Sequence, residues 1–325
     1  MSSAAIELLN PFTRSRLTIT NDGLKDEQGN FFPYTKGAYR MVSNDNYTNN
    51  FGFQWNRFVK TQIDRELQSS TQSKSRFFAE TGWDKEDLTG QNILEVGSGA
   101  GRFTQIVLDH TRATLYSVDY SDAVEANFKN NGHHGERLKL FQASIYDLPF
   151  KPGSFDKVFC FGVLQHTPDV KKSVECLAAM VKPGGQLVVD FYPRNGWWTK
   201  VNAKYMLRPF TKKMSHENLL RRIEKNIDWM INASVFFNKL GIGSLVNRFI
   251  PMCDVNSLPP GLSKKERREW CILDTFDMFS PAYDQPQNIR TIQSWFKELG
   301  FKNIFAGQVK YNSHFAAVTN GTKCA

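Results

Sequence analysis

From Asn92 to Leu108 the chain reads NILEVGSGAGRFTQIVL. An apolar run of strand character climbs into Gly97, Gly99 and Gly101, and a helix-like pattern follows. A strand-to-helix turn rich in glycine lets a ligand approach the backbone, because no Cβ stands in the way. The spacing limits which ligand. A dinucleotide fingerprint needs G-x-G-x-x-G, and counting from Gly97 its last glycine falls on Arg102. No G-K-[ST] follows, so the loop is not a P-loop. What remains is G-x-G-x-G with Glu95 two residues before the first glycine. That pattern suits a ligand with a cationic amino-acid portion, whose ammonium a carboxylate can receive.

Around this loop, short apolar runs alternate with helical patterns from Asn92 to Tyr192. NILEVGS, TLYSVDY, LKLFQAS, FDKVFCFGVL and GQLVVDFY read as strands buried on both faces. GRFTQIVLDH, SDAVEANFKNN and DVKKSVECLAAMV read as helices, the last stopping at KPGG. Such alternation predicts an α/β fold: a Rossmann-like, mostly parallel sheet of seven strands with helices on both faces. TIQSWFKELGF, NIFAGQV and HFAAVTN add a helix and two strands near the end. The resulting division is an N-terminal segment 1–45 with short β-like pieces, a helical cap 46–90, a core made of 91–193 and 288–320, and a mostly helical insert 194–287 after the fifth strand.

The core resembles the class I S-adenosylmethionine (SAM)-dependent methyltransferases. LEVGSGAGRFT is similar to their first motif, VDYS to the second, ASIYDLPF and GSFDKVFCFGVLQHTPD to the third and fourth, and VKPGGQLVVDFY to the entry of the fifth strand. These elements occur in the family's order over about 100 residues. The resemblance implies SAM as cofactor, S-adenosylhomocysteine as product and no metal. It implies a cofactor site built from Glu95, Gly97, Ser98, Gly99, Gly101, Arg102, Asp119, Tyr120, Ser144, Ile145 and Phe161, with Asp119 placed to accept the ribose hydroxyls. Many members carry Asp at the position of Ser144, so the adenine contact falls to Ser144, to Asp147 or to the backbone near Ile145. The N-terminal FFPYTKGAYRMV is similar to the tail of small zinc-ribbon-like modules that precede some bacterial methyltransferases or activate them in trans. The cysteines of those modules are absent upstream, which makes this a degenerate ribbon. The whole arrangement resembles a bacterial methyltransferase-11-like subgroup linked with surface-glycan and secondary-metabolite pathways.

Charge and cysteine usage bear on acceptor and compartment. The net charge is +9, and the stretch from Arg194 to Trp270 holds 15 Lys and Arg against 6 Asp and Glu, so the excess resides in the insert. A basic segment of this kind meets nucleic acid, anionic lipid or a phosphorylated small molecule, or is simply a solvated surface. Five scattered cysteines without a C-x-x-C pair indicate neither a zinc site nor a disulfide framework. Together with the lack of a signal-like start, this points to the cytoplasm, with peripheral membrane contact through the insert as an open alternative. No run of about 18 apolar residues suggests a membrane span.

Transfer from a sulfonium is an in-line displacement with a good leaving group, so alignment and exclusion of water dominate. A hydroxyl acceptor gains from a general base. His166, in GVLQHTPD after the fourth strand, is the first candidate; its other reading is packing beside the cofactor. Asp274 and Asp277, in LDTFDMFSPAYDQPQ, are the second, with helix capping or solvation as the alternative. In FGFQWNRF, the side chains of Gln54, Trp55 and Arg57 are candidates for the acceptor pocket, or else belong to an aromatic helix docked on the sheet. The fourth strand lacks [DNS]-P-P-[YFW], which disfavours an amino-methylating nucleic-acid enzyme of that type. The expected activity is methyl transfer to a small or carrier-linked acceptor, preferably an oxygen of a sugar or secondary metabolite. The insert, with aromatics Trp197, Trp198, Tyr205, Phe210, Trp229, Phe236 and Phe237, serves as lid and acceptor platform. An RNA methyltransferase using the basic insert, or a non-catalytic SAM-binding partner subunit, are the alternatives.

Overall fold

A computed structural model describes residues 6–42, 46–67, 71–194, 196, 201–312 and 314–324. The N-terminal segment forms an antiparallel meander of four strands, β1 (Leu17–Ile19), β2 (Gly23–Asp26), β3 (Phe31–Thr35) and β4 (Ala38–Arg40). Helices α1 (Asn49–Arg57) and α2 (Gln72–Thr81) follow and lead into the core. The core alternates β5 (Asn92–Val96), α3 (Arg102–His110), β6 (Thr114–Asp119), α4 (Val124–Asn131), β7 (Leu138–Gln142), β8 (Phe155–Cys160), α5 (Val170–Met180) and β9 (Val181–Phe191). The insert contributes α6 (Ala203–Thr211), α7 (His216–Lys239), α8 (Gly243–Val246) and α9 (Lys264–Phe279). The chain then returns through α10 (Ile289–Glu298), β10 (Phe301–Tyr311) and β11 (His314–Lys323).

All the strands belong to one sheet, in the order β1-β2-β3-β4-β7-β6-β5-β8-β9-β11-β10. The seven from β7 to β10 are the expected core. Six run in the same direction, β10 included, and β11 runs antiparallel between β9 and β10. The order reverses between β5 and β8, so a crevice opens at the carboxyl ends of these strands, where open α/β sheets bind their ligands. Apolar side chains fill both faces. One layer joins β5, β8 and β9 to α5 and α10 through Leu94, Val158, Val174, Leu177, Ile292 and Phe296. The other packs Phe77 and Trp83 against Ile93, Ile106, Val107 and Phe159.

The expected seven-stranded core is present, and among the described residues the sheet extends beyond it to eleven strands. The short β-like pieces in 1–45 were legible in the sequence, but their destination was not. β4 pairs parallel with β7 (Tyr39 opposite Phe141, Arg40 opposite Gln142), and the Met41 amide donates to the Gln142 carbonyl at 2.9 Å. Farther back, the Leu9 amide donates to the Pro149 carbonyl at 3.0 Å, and the Arg14 guanidinium donates to the carbonyls of Leu148 and Phe150 at 2.9 Å each. A bare β7 would be an unpaired sheet edge, and the meander covers it.

The insert is built around the paired helices α7 and α9. The Ser215 hydroxyl accepts from the Asn218 amide at the start of α7, and Ser263 with Glu266 forms a capping box at the start of α9. Leu219, Ile223, Ile227 and Met230 pack against Trp270, Leu273 and Phe276. The cap shares this core: Phe53 lies 5.7 Å from Phe276, Asn50 Nδ2 donates to Ser280 Oγ at 3.2 Å, and Phe58 is buried with them. Cap and insert, read separately from sequence, therefore form one apolar body over the carboxyl end of the sheet. Trp197 and Trp198 lie outside the described residues.

Phe141 is fully buried on β7, and its ring centroid lies 5.2 Å from that of Tyr39 and 5.0 Å from that of Phe150. It ties the meander to the core. Phe141→Ala is expected to cost about 3–5 kcal/mol, read by denaturant unfolding as a single transition at a lower midpoint.

Candidate active site

The glycine loop runs from the end of β5 into α3. Gly97, Gly99 and Gly101 all have positive φ (85°, 51° and 83°), the left-handed region that an L side chain adopts only at a cost. A Cβ on Gly97 would stand 2.1 Å from Val163 Cγ2, and one on Gly99 2.8 Å from Trp55 Nε1. The loop is thus enclosed by the turn after β8 and by α1. The Gly97 amide donates to the Val118 carbonyl at 2.7 Å. The Gly99 amide donates to Asp119 Oδ2 at 2.8 Å, while Asp119 Oδ1 accepts from the Ser121 amide (2.9 Å) and hydroxyl (2.6 Å). Burial raises the Asp119 pKa above its ordinary value, and these three donors oppose that rise.

Above the loop lies a cavity of about 500 Å³, a size suited to a small molecule. Of the expected cofactor residues, Gly97, Ser98, Gly99, Arg102, Asp119, Tyr120, Ile145 and Phe161 line it. Glu95, Gly101 and Ser144 do not. Glu95 sits behind the loop, where its Oε2 accepts from the hydroxyls of Thr104 and Ser117; burial pushes its pKa up to about 7. It braces the turn and does not face the cavity. Gly101 is the residue before α3, and its carbonyl accepts from Asn131 Nδ2 at 3.0 Å. Ser144 turns inward, its Oγ accepting from the Tyr146 amide at 3.1 Å.

The acceptor candidates divide similarly. Gln54 and Trp55 line the cavity, as do His166, Asp274 and Asp277. Arg57 does not: its side chain is 61% exposed and reaches Glu224 at 3.8 Å. Arg57 is the last residue of α1, and its long side chain reaches outward to Glu224 on α7 instead of into the cavity.

Three buried polar groups in this wall have no partner among the described residues: the Gln54 amide, Ser98 Oγ and His166 Nε2. Buried polar atoms are normally satisfied, so their convergence on one cavity marks it as built for a polar ligand. His166 Nδ1 lies 3.0 Å from the Tyr283 carbonyl. A carbonyl only accepts, so Nδ1 carries the proton and Nε2 offers a lone pair. Burial lowers the His166 pKa, with Asp277 opposing it. Asp274 Oδ1 accepts from Gln62 Nε2 at 3.1 Å, and burial, then the neighbouring Asp277, pushes its pKa up to about 7.

Two half-buried arginines, Arg76 and Arg102, complete the wall. Arg76 Nε donates to Glu80 at 2.6 Å and its guanidinium pairs with Asp190, whose Oδ1 accepts from the Gly162 amide at 2.5 Å. Arg102 instead donates to neutral atoms, Ser73 Oγ at 2.8 Å and Gln62 Oε1 at 3.1 Å. Burial, then the nearby Arg76, lowers its pKa to about 10. Arg102 thus remains a cation without a bonded carboxylate among the described residues, suited to an anionic group of a ligand. Arg76, Tyr192, Trp270 and Tyr311 also line the cavity, and sequence reasoning did not find them. An Arg and a Glu four apart on a helix read as a surface pair; only the fold buries this one.

Outside the cavity, Asp109, His133 and His134 converge as potential metal ligands. Arg65 donates to His133 Nε2 at 2.8 Å and lies 3.5 Å from Asp109, so a guanidinium already supplies the positive charge there.

A sheet with this strand order, a glycine loop at its switch point and an acid ending the next strand define a class I methyltransferase core. Residues 94–189 match the family described as a methyltransferase domain, and this part of the chain is a SAM-dependent methyltransferase domain. The chain is 29% identical over 129 residues to the ubiquinone biosynthesis O-methyltransferase of Coxiella burnetii, covering 38% of this chain and 55% of that one. It is 25% identical over 157 residues to the protein of the same description from Saccharophagus degradans, covering 47% and 66%. The chain thus spans about half to two thirds of the length of these curated relatives. A chain of the solved complex between the Haloferax volcanii Trm112 methyltransferase activator and a methyltransferase shares the fold, with a TM-score of 0.50 at 12% identity, covering 87% of this chain and 100% of that one. The cofactor of the domain is SAM. The glycine loop lining the cavity, the unsatisfied Ser98 hydroxyl and the charge of Arg102 fit its amino-acid end, and Asp119 retains acceptor capacity for hydroxyls.

Two outcomes follow from this geometry. Gly97→Ala forces a side chain into Val163 from a left-handed backbone, and SAM affinity is expected to fall by about tenfold or more, measured by calorimetry on protein whose circular dichroism is unchanged. Asp274 is more protonated folded than unfolded between its ordinary pKa of 3.8 and its raised value of about 7. Stability is therefore expected to fall as pH rises through that window, and Asp274→Asn to flatten part of the slope in urea titrations.

Proposed function

We propose that the chain transfers a methyl group from SAM to an oxygen of a hydroxyl-bearing small or carrier-linked acceptor, such as a sugar or secondary metabolite. The observation that carries this reading is the buried, unpartnered Nε2 of His166 in the cavity wall. A hydroxyl must lose its proton as it attacks, and a neutral imidazole within reach takes it. The description of the curated relatives as O-methyltransferases supports the choice of oxygen.

When bound, SAM supplies an electrophilic methyl on a positively charged sulfur. In this reading Arg102 and the glycine loop hold its amino-acid end. Asp119 receives the ribose hydroxyls, and Tyr120, Ile145 and Phe161 flank the adenine. The acceptor lies between Gln54 and Trp55 on one side and Trp270, Asp274 and Asp277 on the other. Carboxylates beside aromatic faces suit a hydroxyl-rich ring, which stacks on the aromatics and donates to the acids. His166 Nε2 takes the acceptor proton, and the carbonyl of Tyr283 keeps the imidazole in the required tautomer. The insert covers the site and excludes water.

Purified protein, methyl-labelled SAM and a cell extract separated into RNA, protein, lipid and small-molecule pools test the acceptor class. Label is expected in the lipid or small-molecule pool; label in RNA overturns the reading and assigns the basic insert to nucleic acid. On the acceptor so found, His166→Asn is expected to lower kcat by about 10²- to 10⁴-fold with SAM affinity unchanged. The native enzyme should show an acid limb below pH 6.5, because burial lowers the His166 pKa, and the variant should lack it. Retention of full kcat in the variant removes His166 as base.

A further inference from the structure

The insert carries two groups of large apolar side chains that the described residues leave largely exposed. On α6, Met206, Leu207 and Phe210 are 62%, 39% and 73% exposed. From the end of α7 through α8 the same holds for Phe236, Leu240, Ile242, Leu245 and Phe249. Arg248, beside Phe249, donates to the Val201 carbonyl just ahead of α6 at 3.0 Å and so ties the two segments together.

Both groups border the candidate active site. The inner side of α6 is fixed by Arg208, which donates to the carbonyls of Met278 (3.0 Å) and Pro281 (2.8 Å), and by Lys204, which pairs with Asp284 at 2.9 Å and lies over the Tyr192 ring. Met278 and Tyr192 line the cavity. The second group runs directly into the segment that contributes Cys253, Asp254 and Ser257 to the same wall.

Charge decides the occupant. Between residues 201 and 216, and again between 229 and 253, the sequence has no Asp or Glu, whereas Lys204, Arg208, Lys212, Lys213, Lys239 and Arg248 are present. Exposed Lys212, Lys213 and Lys239 fringe the apolar groups. Phenylalanine and aliphatic side chains beside lysines, without acids, form the pattern of an interfacial helix on an anionic leaflet. No helix among the described residues is long and apolar enough to cross a membrane, so such contact lies at the surface.

We infer that α6 and the 236–249 segment seat the insert on an anionic lipid surface, with the mouth of the cavity at the leaflet. The inference concerns this surface and stands apart from the identity of the methylated atom.

The test is co-sedimentation of the full chain with vesicles of phosphatidylcholine alone and of phosphatidylcholine with phosphatidylglycerol. Binding is expected to the mixed vesicles and to weaken as salt rises. A triple variant Phe210→Ser, Leu245→Ser, Phe249→Ser is expected to lose partition by about tenfold or more. Its unfolding midpoint and SAM affinity should stay as in the native chain, because these side chains are exposed. Lys212→Gln with Lys213→Gln leaves the apolar residues in place, gives an independent reading and is expected to lose about tenfold. Absence of binding to either vesicle, equal binding to both, or binding unchanged in both variants overturns the inference. So does a native dimer that the triple variant dissociates, which would assign the patch to a second copy of the chain.

Discussion

The site depends on one backbone amide. The Gly99 N–H donates to Asp119 across the ends of two neighbouring strands, and this bond fixes the glycine loop at the point where the sheet changes direction. A carboxylate offers about four lone-pair positions, and three are taken by Gly99 and Ser121. The residue that shapes the loop thus keeps one position for whatever enters the cavity. Glu95 holds the same turn from behind through Thr104 and Ser117. Of the two acids around the loop, one braces it and the other serves both loop and cavity.

The two half-buried arginines separate by the same accounting. Arg76 is held by Glu80 and Asp190, a network whose burial is repaid by its own geometry. Arg102 beside it bonds a hydroxyl and an amide, and its charge is left for the ligand. Two cations in one wall therefore have unlike roles: removing Arg76 strands two carboxylates, whereas removing Arg102 strands none.

Much of the core was legible in the sequence because it is local. The first two strand runs, the glycine spacing and the acid ending the second strand lie within about 30 residues, and the sheet sets them side by side at its switch point. The failures are tertiary. Glu95 sits two residues before the first glycine, yet strand alternation turns it behind the loop. Arg57 shares a helix with Gln54 and Trp55, but at its last residue the side chain goes to Glu224 and not to the cavity. Tyr192, Trp270 and Tyr311 reach the cavity from the fifth core strand, the insert and β10, and no periodicity links segments that far apart. The N-terminal strands were visible, but pairing with β7 depends on the third core strand ending up at an edge.

That pairing has a kinetic and concentration aspect. β4 meets β7 through two residue pairs, Tyr39 with Phe141 and Arg40 with Gln142, and the N-terminal segment adds the Leu9 and Arg14 hydrogen bonds and the buried side chains of Leu8, Leu17, Leu24, Phe32 and Met41. Because the meander is joined to the core by a continuous chain, its local concentration is about millimolar or higher. Edge closure is then a first-order process, indifferent to how much protein the cell makes. Covalent linkage is thus added to an edge closure that buried side chains and hydrogen bonds already hold.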